Sequence, residues 1–119
     1  IFPQHVLQGI TGEADIERAL RAVRRSHDGM LCVTLGAGGA MLLAGDECIT
    51  GPGFAVKAVD TTGAGDVFRA ALIDALVKES SPREMLRFAN AAAAVSCTRA
   101  GAMAGVPSMR EVEALLSGG

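Results

Sequence analysis

The sequence predicts a layered α/β domain, a partly parallel sheet with helices. Three observations predict it. Short apolar runs alternate with helix-periodic runs, the run Met30 to Leu35 is continuously apolar but for Thr34, as in strands buried on both faces, and the C-terminal half is rich in helical patterns. A chain of 119 residues suffices for one compact domain, which should bury about two-thirds of its unfolded surface. Half the residues are hydrophobic but only 3% are aromatic. The core is therefore Ala, Val and Leu, and its small side chains let helices approach closely.

Each element has a local reason. Residues Glu13 to His27 place Ile16, Ala19, Leu20 and Val23 at helical spacing, between Thr11-Gly12 and Asp28-Gly29 as punctuation. Met30 to Leu35 is the continuous apolar strand. Gly36 to Gly39 makes a turn, and Ala40 to Ala44 with Glu47 to Thr50 reads as a hairpin around Gly45-Asp46. Ala55 to Val59 is expected as a further short strand. Helices are expected at Gly65 to Lys78, at Pro82 to about Ala100, opened by Ser81 with Pro at its first turn, and at Ser108 to Leu116.

Composition excludes several classes of function. The net charge is only -2, and no basic stripe is interleaved with aromatics, which speaks against nucleic acid as a partner. Arg18, Arg21, Arg24 and Arg25 have the spacing of a solvated helix face. The longest apolar stretches are too short to span a membrane. Cys32, Cys48 and Cys97 are widely spaced in apolar contexts, which suits buried thiols of a reducing cytoplasm. His5 and His27 are isolated and build no metal cluster.

The chemistry concentrates at Asp60 to Asp66, D-T-T-G-A-G-D, followed by the apolar helical run Val67 to Val77. A glycine turn entering a helix points unpaired N–H groups and the positive end of the helix dipole at one spot, and Asp66 sets a carboxylate in that field. This is an anion site with a base inside it, the minimum apparatus for phosphoryl transfer. Asp is also a favoured N-cap residue, so on spacing alone a structural role and a catalytic one stand about even. Gly36-Ala37-Gly38-Gly39 is not a dinucleotide fingerprint, because the third Gly of G-x-G-x-x-G would fall on Met41 and a strand follows. Neither Lys57 nor Lys78 lies behind a G-x-x-x-x-G, which excludes a P-loop.

The segment D-T-T-G-A-G-D-V-F-R-A-A-L resembles the C-terminal signature of the ribokinase-like carbohydrate kinases, the PfkB family. V-T-L-G-A-G-G-A at Val33 to Ala40, R-F-A-N-A-A-A-A at Arg87 to Ala94 and T-R-A-G-A-M-A-G-V-P at Thr98 to Pro107 agree with it in order and distance. The resemblance runs from about Ile10 to the C-terminus. It implies the C-terminal portion of a ribokinase-like fold, and ATP-dependent phosphorylation of a hydroxymethyl group on a sugar or sugar-like alcohol. Asp66 would be the base, and the backbone N–H groups of Gly63, Ala64 and Gly65 would hold the charge on the migrating phosphoryl group. Arg69, one turn on, is a weaker candidate to assist. ATP would be contacted by Thr34, Leu35, Gly36, Gly38, Gly39, Gly65 and Asn90. A monovalent cation, potassium, would be held by Asp60 and by backbone oxygens at Thr62, Ser96, Arg99, Gly101 and Gly105.

The chain departs from the family at one place. Many members carry Asn-x-x-Glu before the turn that is Ile10-Thr11-Gly12 here, a pair that organises phosphate and magnesium. Phe2 to Leu7 has neither residue, so either Gln4 and water organise magnesium here or the chain belongs to a divergent member of the family. The chain lacks an initiator Met and is far shorter than members of the family. It is expected to be one nucleotide-binding and catalytic part, residues 1–119, of a longer cytoplasmic kinase whose N-terminal half supplies the acceptor pocket. Alone, it should self-associate as a homo-oligomer or bind that missing half. A fragment or degenerate paralogue that binds nucleotide or a partner chain without turnover is the alternative, and the acceptor sugar is open.

Overall fold

The computed structural model describes residues 1–61, 63–98 and 107–118. The elements run β1 (Phe2–Pro3), α1 (Gln4–Thr11), α2 (Ile16–Arg24), β2 (Leu31–Thr34), a 3-10 turn (Gly36–Gly38), β3 (Ala40–Ala44), β4 (Glu47–Gly51), α3 (Ala64–Val77), α4 (Pro82–Cys97) and α5 (Met109–Gly118). The strands form one sheet in the order β1-β2-β3-β4. β1 runs parallel to β2, with Phe2 opposite Val33, whereas β2–β3 and β3–β4 are antiparallel. The partly parallel layered sheet is thus as the sequence predicts.

The alternation of β2 divides the core in two. Cys32 faces a cluster with Ala40, Leu42 and Ile49 of the sheet, Phe68, Ala71, Leu72 and Ala75 of α3, Met85, Leu86 and Ala89 of α4, and Val112 of α5. Leu31 and Val33 point the other way, joining Leu43 to Leu7 of α1 and Ala19 and Leu20 of α2. The sheet is therefore the middle of three layers, which is why Leu31, Cys32 and Val33 are all apolar and buried. Fully burying Leu7, Leu20, Leu42, Leu43 or Leu86 contributes about 1.5 to 3 kcal/mol each. On the face covered by α4, Ala89, Ala91 and Ala92 let the helix lie close to the sheet.

α1 lies where the sequence reading assigned no element. Its signal was present, with Pro3 just before the first turn and Gly12 just after the last. Gly12 is left-handed (φ 72°) and donates its N–H to the Gln8 carbonyl at 2.9 Å. α2 is shorter than the expected Glu13 to His27, because Asp15 caps its start by accepting the Arg18 N–H at 2.9 Å. Arg24 also corrects an expectation, since it is no solvated charge. Its guanidinium donates to the carbonyls of His27, Gly29 (2.6 Å) and Leu43 (3.0 Å), fastening the end of α2 to β3. Arg18 and Arg21 are exposed as expected, Arg21 pairing with Glu17 at 3.0 Å.

The strand expected at Ala55 to Val59 does not form. Most of this segment is exposed, and the Val59 and Asp60 N–H groups both donate to the Cys97 carbonyl, at 2.7 and 3.1 Å, rather than to a strand. Apolar composition without a neighbouring strand edge makes no ladder. The hairpin and the helices α3, α4 and α5 are found within a few residues of expectation. α4 opens at Ser81, whose hydroxyl accepts the Glu84 N–H, and ends at Cys97 rather than about Ala100. α5 opens with a reciprocal pair, Ser108 N–H to the Glu111 carboxylate (3.0 Å) and Glu111 N–H to Ser108 Oγ (3.2 Å). Among the described residues, no helix is long and apolar enough to cross a membrane.

All three cysteines are free; Cys32 is buried, while Cys48 and Cys97 are half-buried. Burial pushes the Cys32 thiol up from 9.0 to about 12. The folded state keeps this proton where the unfolded chain releases it. Stability is therefore undiminished below the unfolded value and falls as pH rises above it, by up to about 1.4 kcal/mol per pH unit. Cys32→Val, which fills similar space, should flatten that alkaline decline in denaturant unfolding followed upward from neutral pH. An identical decline in both proteins would assign it to other groups.

Candidate functional site

The start of α3 is built by glycine. Gly63 occupies the N-cap in the left-handed region (φ 79°, ψ -1°), a conformation that costs a residue with a Cβ. The Ala64 N–H closes the preceding turn on the Thr61 carbonyl at 3.1 Å, and the first intrahelical bond runs from Val67 N–H to the Gly63 carbonyl at 3.0 Å. The N–H groups of Gly65 and Asp66 precede that bond and have no intrahelical acceptor. A Cβ on Gly65 would meet nothing within 4 Å, and Asp66 is exposed. Solvent thus reaches the positive end of the helix, in whose first turn Asp66 lies. Of the three expected N–H donors, Ala64's is bonded inside the turn in this structure. Arg69 is exposed one turn along.

The second part is the turn between β2 and β3. Leu35 N–H donates to the Gly39 carbonyl (2.8 Å), Gly38 N–H to Leu35 (3.1 Å) and Gly39 N–H to Gly36 (3.1 Å), with Gly36 and Gly39 at φ 60° and 93°. Leu35 is half-buried, and Thr34 donates its hydroxyl to the Phe2 carbonyl at 3.5 Å across to β1. Gly39 lies directly against the exit of β4. A Cβ on Gly39 would overlap the Gly51 carbonyl and stand 2.5 Å from the Gly53 nitrogen, and one on Gly53 would overlap the Ala37 carbonyl. Gly51, Pro52 and Gly53 were not singled out in the sequence. The signal was a G-P-G placed after the hairpin that begins with G-A-G-G.

Asn90 holds this contact from behind. It is 5% exposed, and its Nδ2 donates to the carbonyls of Gly51 (2.9 Å) and Pro52 (3.4 Å). The amide nitrogen is thus committed to the backbone wall, so in this structure Asn90 shapes the turn rather than projecting from it. Gly51 is closely approached from the same side, since a Cβ there would stand 3.0 Å from both Asn90 Nδ2 and Leu86 Cβ.

The third part joins Asp60 to the end of α4. The bonds from Val59 and Asp60 N–H to the Cys97 carbonyl set the half-buried Asp60 beside the last turn of α4, the negative end of that helix. Ser96 is 1% exposed, its hydroxyl donating to the Ala93 carbonyl at 2.8 Å and its own carbonyl accepting the Thr98 N–H. A carboxylate next to helix-terminal carbonyls is a donor set that fits a cation. Thr62, Arg99, Gly101 and Gly105 lie outside the described residues.

Phe68, two residues beyond Asp66, is buried in the cluster that holds Cys32 and Ala40, so the α3 start and the β2–β3 turn adjoin one core. The cavities lie elsewhere. One of about 260 Å³ lies between the C-terminal half of α3, α4 and α5, and one of about 180 Å³ lies beside Gly51 and Pro52. Asp66 lines neither of these two and is exposed. Among the described residues, no three His, Cys, Asp or Glu side chains gather as metal ligands.

A left-handed glycine that opens a helix bearing an exposed carboxylate makes the start of α3 the candidate anion site of this α/β fold. The chain belongs to the pfkB family of carbohydrate kinases, whose pattern matches residues 4–109. It is 46% identical over 87 residues to the ribokinase of Bacillus subtilis, covering 73% of this chain and 30% of that protein. Among solved structures, the ribokinase of Thermotoga maritima superimposes with a TM-score of 0.85 at 39% identity, over 96% of this chain and 39% of that one. The fructokinase of Vibrio cholerae, solved with fructose, ADP and calcium, gives 0.87 at 34% identity, over 97% and 39%. The chain thus spans roughly a third of the length of the curated relatives it matches.

The glycine contact is open to direct test. Gly39→Ala should cost at least about 2 kcal/mol, from positive φ and overlap together. Asn90→Ala should cost about 1 to 3 kcal/mol by stripping the Gly51 carbonyl of its donor. Denaturant midpoints measure both, and a neutral Asn90→Ala would show that the brace is dispensable.

Proposed function

We propose that the chain is the nucleotide-binding and catalytic C-terminal part of a cytoplasmic kinase that transfers the γ-phosphoryl group of ATP to a hydroxymethyl group of a sugar or sugar-like alcohol. The observation that carries this reading is the start of α3, where a left-handed Gly63 opens a helix whose first turn carries the Gly65 and Asp66 N–H groups and the exposed Asp66 side chain. ATP is the phosphoryl donor, with its phosphates near the Gly36–Gly39 turn and the α3 start. As the acceptor oxygen bonds to phosphorus and the bond to ADP breaks, the hydroxyl proton passes to Asp66 Oδ, and the Gly63, Gly65 and Asp66 N–H groups stabilise charge on the phosphoryl oxygens.

Asp60 and the carbonyls closing α4 would hold potassium, whose charge would reinforce the anion site; the Vibrio cholerae fructokinase is also solved in a potassium-bound form. Magnesium accompanies ATP in the solved putative ribokinase II of Escherichia coli. Here the described residues offer no carboxylate cluster for it, so it would bind chiefly through the nucleotide phosphates. A second reading, a non-catalytic part that binds a partner chain, is favoured by the exposed apolar stripe Ile73, Leu76 and Val77 on α3.

In the protein that carries this chain, Asp66→Asn should lower kcat by about 10² to 10⁴-fold with nucleotide affinity nearly unchanged. Near wild-type turnover would remove Asp66 as the base. Exchanging potassium for a bulky organic cation should lower activity, and Asp60→Ala should abolish the difference. Turnover indifferent to the cation would remove the cation site.

A further inference from the structure

α5 contributes no residue to the candidate site, yet one arginine of α4 connects it to the glycine turn. Arg87 Nη2 donates to the Leu116 carbonyl at 3.1 Å. Leu116 lies in the last turn of α5, where carbonyls lack intrahelical donors, so the guanidinium caps that helix. The same guanidinium lies over the Phe54 ring, 5.2 Å from its centroid. Phe54 directly follows Gly51-Pro52-Gly53, the stretch on which Gly39 rests and to which Asn90, three residues after Arg87, donates. Arg87 borders both cavities, standing between the α3–α4–α5 groove and the space beside Gly51 and Pro52. Phe54 also packs against the core through partly buried contacts.

We infer that Arg87 is a positioning residue for the Gly36–Gly39 turn, coupling the end of α5 to that turn through the Phe54 ring and the Gly51–Gly53 backbone. The inference rests on the reading of that turn as a nucleotide contact. Without a ring over which to lie, the guanidinium loses one of its two anchors, and the 51–54 stretch loses its outer clamp while keeping the Asn90 brace. Arg83, one helical turn earlier, lines the same space but pairs only with exposed Glu47 at 3.7 Å among the contacts described. It is therefore the control for removing a positive charge from this face.

Four variants separate the possibilities: Arg87→Ala, Phe54→Leu, Phe54→Trp and Arg83→Ala. Amide hydrogen exchange of peptides covering residues 35–39 and 51–54 reads the coupling, and ADP affinity reads the site. Arg87→Ala and Phe54→Leu should speed exchange in both peptides and weaken ADP binding by about 3- to 10-fold, the scale of one cation–π contact. Phe54→Trp, which keeps an aromatic face in a chain with no other Trp, should match the unmodified protein in both readouts. Arg83→Ala should change neither. Unchanged exchange at 35–39 in Arg87→Ala would overturn the coupling. Faster exchange with unchanged ADP affinity would overturn the positioning role. Faster exchange in a protein whose unmodified form does not bind ADP would uphold the coupling and defeat the nucleotide reading instead.

Discussion

The candidate site depends on two backbone turns meeting without side chains between them. Gly39 at the start of the β hairpin and Gly51 and Gly53 at its exit touch so closely that a single Cβ on Gly39 would overlap a carbonyl. Glycine is costly elsewhere because it loses the most conformational entropy on folding. Here that cost secures a rigid wall of main chain at the edge of the sheet, with the Asn90 amide holding it from the helix layer. Rigidity matters because phosphoryl transfer asks of a protein chiefly position and fixed dipoles, which backbone N–H groups supply without side-chain reorganisation.

The layers explain how that wall and the α3 start are held together. Small residues along α4, Ala89, Ala91 and Ala92, allow close packing, and α3 shares its cluster with Cys32 and Ala40 of the sheet. α1 and α2 close the opposite face through Leu7, Ala19 and Leu20. The Cys97 carbonyl, receiving both Val59 and Asp60 N–H groups, fixes the loop that leads to Gly63. Asp66 is exposed and lines neither of the two cavities described.

Much of this was legible in the sequence because it is periodic or punctuated. The apolar run Met30 to Leu35, the hairpin, and the Ser81-Pro82 helix start read correctly, and the D-T-T-G-A-G-D segment does feed a helix. Failures occurred where a tertiary partner decides. Ala55 to Val59 looks like a strand but finds no edge, and Arg24 looks solvated but meets three carbonyls. α1 was missed because only Leu7 of its eight residues is buried, so periodicity was faint and only Pro3 and Gly12 marked it. The Gly51–Gly53 contact is long-range and leaves no local trace beyond its glycines.

The central claim is that the Gly36–Gly39 turn and the start of α3 form one nucleotide phosphate site. Amide nuclear magnetic resonance of the protein titrated with ADP tests it most directly. The account predicts that the amides of Gly36, Gly38, Gly39, Gly65 and Asp66 shift together along a single binding curve, with Gly51 and Gly53 following because they back the turn. Shifts confined to the groove lined by Asp74, Lys78, Glu84 and Leu116, with the α3 start unmoved, would contradict it.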